Sequence, residues 1–256
     1  VELRDASVIV TGGASGLGEA TVRLLAGRFP GCHVVVVDLQ DERGGKVAAE
    51  VSGTYVRADI TQPDDVIRAV DAAPGPLRGV VSCAGGGSSR RTIGRDGRFE
   101  SAHPLDEFER VVRLNVVGTF NVVRLAATAM SRNEPDENGG RGAIVTTASV
   151  AGLEGQIGQA AYAAGKAGVI GMTLPIARDL SAVGVRVNTI APGIFDTPPM
   201  RAVPEALRTS LGASVPFPRR LGDPSEFASL ACELLTNDYL NGEVVRLDGA
   251  IRMQPK

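Results

Sequence analysis

Net charge of either sign is nearly missing from this chain of 256 residues: 27 Lys and Arg stand against 29 Asp and Glu, a formal net of −2. No basic field therefore exists to hold nucleic acid. Cysteine is scarce, with Cys32, Cys83 and Cys232 at wide spacing. An odd, scattered set excludes a disulfide framework and a zinc site, and no metal site is expected. It suits a reducing compartment. Long hydrophobic runs are also missing. The most apolar long stretch, 114–130, is broken by Asn115, Asn121 and Arg124, short of the roughly 20 uninterrupted residues of a membrane span. No linker, composition break or internal repeat divides the chain, so one domain over 1–256 is expected. The first residues run directly into a strand-like segment, and no secretory leader is expected. The expected location is cytoplasmic: a bacterial cytosol, or a mitochondrial matrix for a processed eukaryotic protein.

What is present is an ordinary globular composition, 43% hydrophobic and 22% charged, which excludes disorder and coiled coil for the whole chain. Short runs of Val and Ile recur at 8–10, 34–37, 79–83, 143–147, 185–190 and 244–247, with a weaker one at 54–58. They are nearly all-apolar rather than alternating, the pattern of strands buried on both faces of a parallel sheet. Helix-length segments lie between them at 16–29, 41–51, 63–72, 104–131, 158–181 and 223–236. Pro63 followed by two aspartates, and the Asp223-Pro224 pair, mark helix starts. Strand–helix alternation predicts an α/β, Rossmann-type doubly wound parallel sheet of about seven strands, with helices on both faces. Loops are expected over 85–103, rich in Gly, Ser and Arg, and over 133–142. The stretch 192–218 carries six prolines and reads as a mobile substrate loop.

The first chemical motif is Thr11-Gly12-Gly13-Ala14-Ser15-Gly16-Leu17-Gly18, between a strand and a helix. Glycines at 12, 16 and 18 permit a tight turn, close backbone approach to a pyrophosphate and close helix–strand packing. The helix N-terminus would hold the anion. Asp38 closes the second strand, where a carboxylate accepts from ribose hydroxyls. Leu39 and Gln40 follow it, with no arginine to neutralise a 2′-phosphate, so NAD is expected rather than NADP. Tyr162 and Lys166 are one helical turn apart and share a face. An ammonium there is expected to lower the phenol pKa from about 10. Tyr162 can then exchange a proton with an alcohol or ketone. Ser149 ends a strand, where its hydroxyl can steady a developing alkoxide.

The spacing T-G-G-x-x-G-x-G resembles the cofactor loop of the short-chain dehydrogenase/reductase family. The resemblance continues down the chain. Asn115, Ser149, Tyr162 and Lys166 match that family's catalytic tetrad, with Asn115 supporting a water that relays protons to Lys166. Asp59 and Ile60 sit where the family contacts adenine. Cys83-Ala84-Gly85 matches its N-A-G segment, with Cys83 in place of Asn. Pro192-Gly193 matches its P-G turn. The family implies that Ser15, Leu17, Phe195 and Thr197 also meet the cofactor, Thr197 at the carboxamide and Phe195 near the nicotinamide. Two departures stand out: Tyr-Ala-Ala-Gly-Lys places Gly165 inside a helix, at about 1 kcal/mol against Ala, and Cys83 has no histidine in its motif to make it a nucleophile.

Longer segments, at 132–136, 155–162, 171–180, 215–218, 220–224 and Leu247-Asp248-Gly249-Ala250-Ile251-Arg252-Met253, resemble the type II 3-hydroxyacyl-CoA dehydrogenase branch. That branch implies NAD-dependent oxidation of a 3-hydroxyacyl-CoA, with a short or branched acyl chain, to the 3-ketoacyl-CoA. Gln156 and Gln159, between Ser149 and Tyr162, are then candidates to meet the substrate together with those two residues. Arg90, Arg91, Arg95 and Arg98 are candidates for the CoA phosphates, because arginine offers a fork of donors; a solvated loop explains them equally well. Rival readings are a hydroxysteroid or other secondary-alcohol dehydrogenase, a 3-ketoacyl-carrier-protein reductase, and a non-catalytic NAD-binding regulator. The family also implies a homotetramer, with 104–131 and 158–181 at one interface and 247–255 near another.

Overall fold

The computed structural model describes residues 1–255. Seven parallel strands form one sheet: β1 Ser7–Thr11, β2 His33–Asp38, β3 Thr54–Arg57, β4 Leu77–Ser82, β5 Gly142–Thr147, β6 Val185–Pro192 and β7 Val244–Leu247. Their order is β3-β2-β1-β4-β5-β6-β7. The chain thus winds one way from β1 to β3 and the other way from β4 to β7. The crevice where the direction reverses lies beyond the ends of β1 and β4, the usual place for a ligand in such sheets.

The near-continuous apolar strands follow from this layering. Val8 and Val10 of β1 enter one core with Val34, Val36, Phe227, Leu234 and Leu235. Ile9 between them enters the opposite core with Val35, Val80, Ile144, Val122 and Val123. Alternate residues face opposite sides of a strand, so with helices on both sides every position is buried. Each fully buried Val, Leu or Phe stabilises the fold by about 1.5–3 kcal/mol.

Helices α1 Gly16–Arg28 and α9 Pro224–Thr236 cover the first face. Asp223 caps α9 with its carboxylate on Ser225 N–H, and Glu226 returns a carboxylate to Asp223 N–H. That reciprocal capping explains why Asp223-Pro224 marks the start. Helix α2 is Asp41–Glu50 and α3 is Pro63–Asp71, the latter with Pro63 in its first turn.

Two expectations change. The helix expected over 104–131 is α4 Leu105–Val112, a π-helical stretch Arg113–Gly118, then α5 Thr119–Met130. Asn115 sits inside the widened stretch, and its side-chain amide donates to Val111 O at 2.8 Å. It thereby occupies the carbonyl one turn back, which an α-helical ladder would use. The proline-rich stretch after β6 is folded, not open loop: it forms α7 Pro198–Arg201 and α8 Glu205–Ala213. The longest helix, α6 Ala160–Ser181, carries Tyr162 and Lys166.

Candidate active site

A cavity of about 730 Å³ opens at the reversal point. The turn after β1 forms one wall. Gly12 (φ +68°) and Gly16 (φ +55°) take left-handed backbone conformations, which glycine adopts without strain. A Cβ on Gly18 would run into the Gly12 carbonyl. Bare backbone at these points leaves room for a ligand, and Ser15, Gly16 and Leu17 line the cavity at the start of α1.

Asp38 has two tasks. One oxygen accepts from Ala14 N–H at 3.1 Å, tying β2 to the glycine turn. The other accepts from Leu39 N–H at 2.8 Å and Gln40 N–H at 3.1 Å, at the entry to α2. A carboxylate has about four acceptor positions, so it retains capacity toward the cavity, which it lines. The nearby arginines are already engaged: Arg57 pairs with Asp41 and Arg43 with Glu19. A 2′-phosphate would meet Asp38 uncompensated. Asp59, Ile60, Ala84 and Gly85 line the same cavity.

Tyr162 and Lys166 line the cavity from α6. The Lys166 ammonium lies 5.8 Å from the centre of the Tyr162 ring and donates to Thr147 O at 2.8 Å. Burial pushes its pKa down to about 8, partly opposed by Cys83. The expected lowering of the Tyr162 pKa is not what the free protein has. Burial raises it, with the Ser149 hydroxyl pulling the other way. The physical reason is that Lys166 is spent on a backbone carbonyl, while the phenol is largely removed from water.

Ser149 begins a short 3₁₀ turn, Val150–Gly152. Its oxygen accepts from Ala151 N–H at 3.1 Å, leaving its own proton to donate. With Tyr162 it lines a second cavity of about 370 Å³. The two cavities share Leu17, Gln159, Tyr162, Pro192, Thr197 and Pro199. A group bound in one therefore meets a group bound in the other across Tyr162.

Other expected residues fall elsewhere. Asn115 is buried, and its amide donates to Gly86 O at 2.6 Å as well as to Val111 O. It braces the 85–87 loop under the site. Gly165 is explained by the same contact, since a Cβ there would come within 3.0 Å of Asn115 Cβ. Phe195 does not line the larger cavity. Its ring packs over Gly222 and borders the smaller one. Gln156 turns away from both, donating to Gln254 O at 2.8 Å, whereas Gln159 lines both. Of the four arginines, Arg90 pairs with Glu107 and Arg98 with Asp96, while Arg91 lines a separate surface groove. Cys83 lines the cavity, but burial pushes its thiol up to about 11, so it carries no nucleophilic thiolate near neutral pH.

Sequence reasoning missed the supporting groups. Thr11 Oγ1 accepts from Ala84 N–H at 3.2 Å, joining the glycine turn to the 84–87 loop. Thr147 supplies the carbonyl that holds Lys166. Met200 and Met253 line the smaller cavity. Nothing local marks these residues, since each acts through a partner distant in the chain.

The model of the family described as short chain dehydrogenase matches residues 6–208. The chain belongs to the short-chain dehydrogenase family. It is an NAD-dependent short-chain dehydrogenase, and the glycine turn, Asp38 and the paired arginines fit that cofactor. It is 50% identical to 3-hydroxyacyl-CoA dehydrogenase type-2 of Drosophila melanogaster over 99% of this chain and 100% of that one. Against the human protein of the same description it is 50% identical over 96% of this chain and 95% of that one. A solved structure of 3-hydroxyacyl-CoA dehydrogenase type-2 from Mycobacterium avium superimposes with a TM-score of 0.94 at 51% identity, over 98% of this chain and 97% of that one. Among the described residues of this dehydrogenase, no helix is long and apolar enough to cross a membrane.

Proposed function

We propose that this short-chain dehydrogenase oxidises a 3-hydroxyacyl-CoA with a short or branched acyl chain to the 3-ketoacyl-CoA. One observation carries the reading: Tyr162 borders both the cavity suited to the dinucleotide and the cavity that holds Ser149. Bound NAD supplies the hydride acceptor. Ser149 donates its hydroxyl hydrogen to the substrate oxygen and steadies the charge that gathers there. Tyr162, as the phenolate, takes the proton from the C3 hydroxyl. Lys166, held on Thr147 O beside Tyr162, has a pKa of about 8 that leaves it charged at neutral pH. In the reverse direction Tyr162 returns the proton to the ketone oxygen. Asn115 keeps the 85–87 loop in place, and its amide oxygen converges with the Lys166 ammonium on Gly85.

The acyl-CoA class is supported by near-full-length identity of about half the residues to proteins of that description. The test is a substrate panel with NADH: acetoacetyl-CoA, free acetoacetate and a 3-ketosteroid. Rapid turnover of acetoacetyl-CoA, with the other two far slower, supports the reading. Preference for the steroid overturns the substrate and leaves the chemistry standing. A homotetramer forms part of the same proposal. Leu105 on α4, Phe120 on α5 and Leu174 on α6 are exposed apolar side chains on neighbouring helices, suited to covering by another copy. Sedimentation at micromolar concentration distinguishes a tetramer from a monomer.

A further inference from the structure

The segment after β7 returns to the active site and is fastened there. Arg246 makes a double contact with Glu154, at 2.8 and 3.4 Å. Arg252 reaches the same carboxylate at 3.3 Å. Glu154 also accepts from Met253 N–H at 3.3 Å. Beyond it, Ile157 N–H donates to Pro255 O at 3.0 Å, and Gln156 donates to Gln254 O at 2.8 Å. Asp248, with a buried carboxylate, holds both arginines from the other side. Residues 246–255 are thus pinned along 154–157, the stretch that separates Ser149 from Tyr162.

One residue of the pinned tail, Met253, lines the smaller cavity. Other apolar walls there include Val150, Ala151, Ile194, Phe195 and Met200. A 3-hydroxyacyl thioester placed with its C3 oxygen at Ser149 and Tyr162 has two ends. The CoA end is bulky and polar and must reach water. The acyl end is apolar, and apolar walls favour it. Methionine is unbranched and polarizable, so it fits against chains of irregular shape.

We propose that Met253 sets the acyl-chain length this enzyme accepts, and that Glu154 is a positioning residue that holds Met253 against the cavity. This rests on the acyl-CoA reading above. Carbon atoms beyond C4 extend toward Met253 and compete with its side chain for space. Glu154 touches no reacting atom and acts only through the tail.

The experiment measures kcat/KM with NADH for acetoacetyl-CoA and for 3-ketooctanoyl-CoA, in the intact protein and in variants. Met253→Ala is expected to raise the C8/C4 ratio about tenfold, the scale of one or two methylenes in an apolar pocket. Met253→Phe is expected to lower it. Glu154→Gln is expected to shift the ratio in the same direction as Met253→Ala, mostly through KM, and to add little in the double variant, because residues acting through one contact are not additive. NADH affinity, followed by fluorescence, reports that each variant is folded. A ratio unmoved in both Met253 variants overturns the Met253 assignment. A Glu154→Gln effect that is additive, or that lowers thermal stability without moving the ratio, overturns the positioning role. Failure of the unaltered protein to reduce either CoA ester overturns the acyl-CoA reading itself, and this inference with it.

Discussion

At the cofactor end of the site one wall is bare backbone. Gly12, Gly16 and Gly18 strip the turn after β1 of side chains, and Asp38 is tied to that turn by a bond to Ala14 N–H. At the substrate end the walls are side chains from three separate regions: Ser149 after β5, Met200 on α7 and Met253 beyond β7. The first construction is local and leaves a signature in consecutive residues. The second is assembled by tertiary contacts, above all the Glu154 clamp on Arg246 and Arg252. A cofactor common to many reactions needs one fixed cradle. A substrate pocket has to vary, and long-range assembly lets it vary by single replacements.

The comparison can be broken at either end. After the Tyr162 replacement treated last, the largest expected effect is in the smaller cavity: Ser149→Ala should lower kcat by about 10²-fold, the usual scale for removing a donor to a developing oxyanion, with NADH affinity unchanged. Steady-state kinetics alongside fluorescence titration checks both. Next comes the backbone cradle. Gly18→Ala places a methyl group against the Gly12 carbonyl and should cost about 1–3 kcal/mol of stability, while also weakening NADH binding. Denaturant unfolding and the same titration read these separately. If Gly18→Ala unfolds normally and binds NADH normally, the cradle is not as tight as described.

Asp38→Asn removes the charge that a 2′-phosphate would meet. It should narrow the preference for NADH over NADPH by about tenfold, which corresponds to about 1.4 kcal/mol, measured as the ratio of kcat/KM. Lys166 gives a pH signature. Its folded pKa of about 8 lies below the ordinary value of 10.5. Between those values the unfolded chain binds the proton that the folded one has released, so stability should rise with pH across pH 8 to 10.5. Compared with Lys166→Met in urea at each pH, the unaltered protein should gain over that window. The smallest effect is remote from the site. Arg220 and the capping contact hold the Glu226 pKa at about 2, below 4.5. That stabilisation is present above pH 4.5 and lost as pH falls toward 2. The pair is exposed, so Glu226→Gln should change stability by less than about 1 kcal/mol.

Much of this was legible in the sequence because the relevant physics is local. The Val-rich runs specify strands buried on both faces, and the glycine turn and Asp38 specify the nucleotide end. Tyr162 and Lys166 share a helix face by spacing alone. The π-helical stretch at Arg113–Gly118 is not legible, because the Asn115 amide that takes Val111 O within it is also held by Gly86 O from across the fold. Gly165 reads from sequence alone as a weakness of α6, whereas in the fold it gives Asn115 room to pack. The ionisation of Tyr162 is illegible for a related reason. Spacing shows that Lys166 is near, but not that Thr147 O engages it or that burial dominates the phenol. The position of Gln156 between Ser149 and Tyr162 points it toward the substrate. The tail that draws it away arrives from the other end of the chain.

The most direct test of the assembled site is the reduction of acetoacetyl-CoA by NADH in the unaltered protein and in Tyr162→Phe, with NADH affinity measured on both. The expected result is turnover by the unaltered protein, a fall of about 10³-fold in kcat for Tyr162→Phe, and equal NADH affinity. Turnover by Tyr162→Phe within a few-fold of the unaltered protein would contradict the placement of Tyr162 as the proton-transfer group between the two cavities.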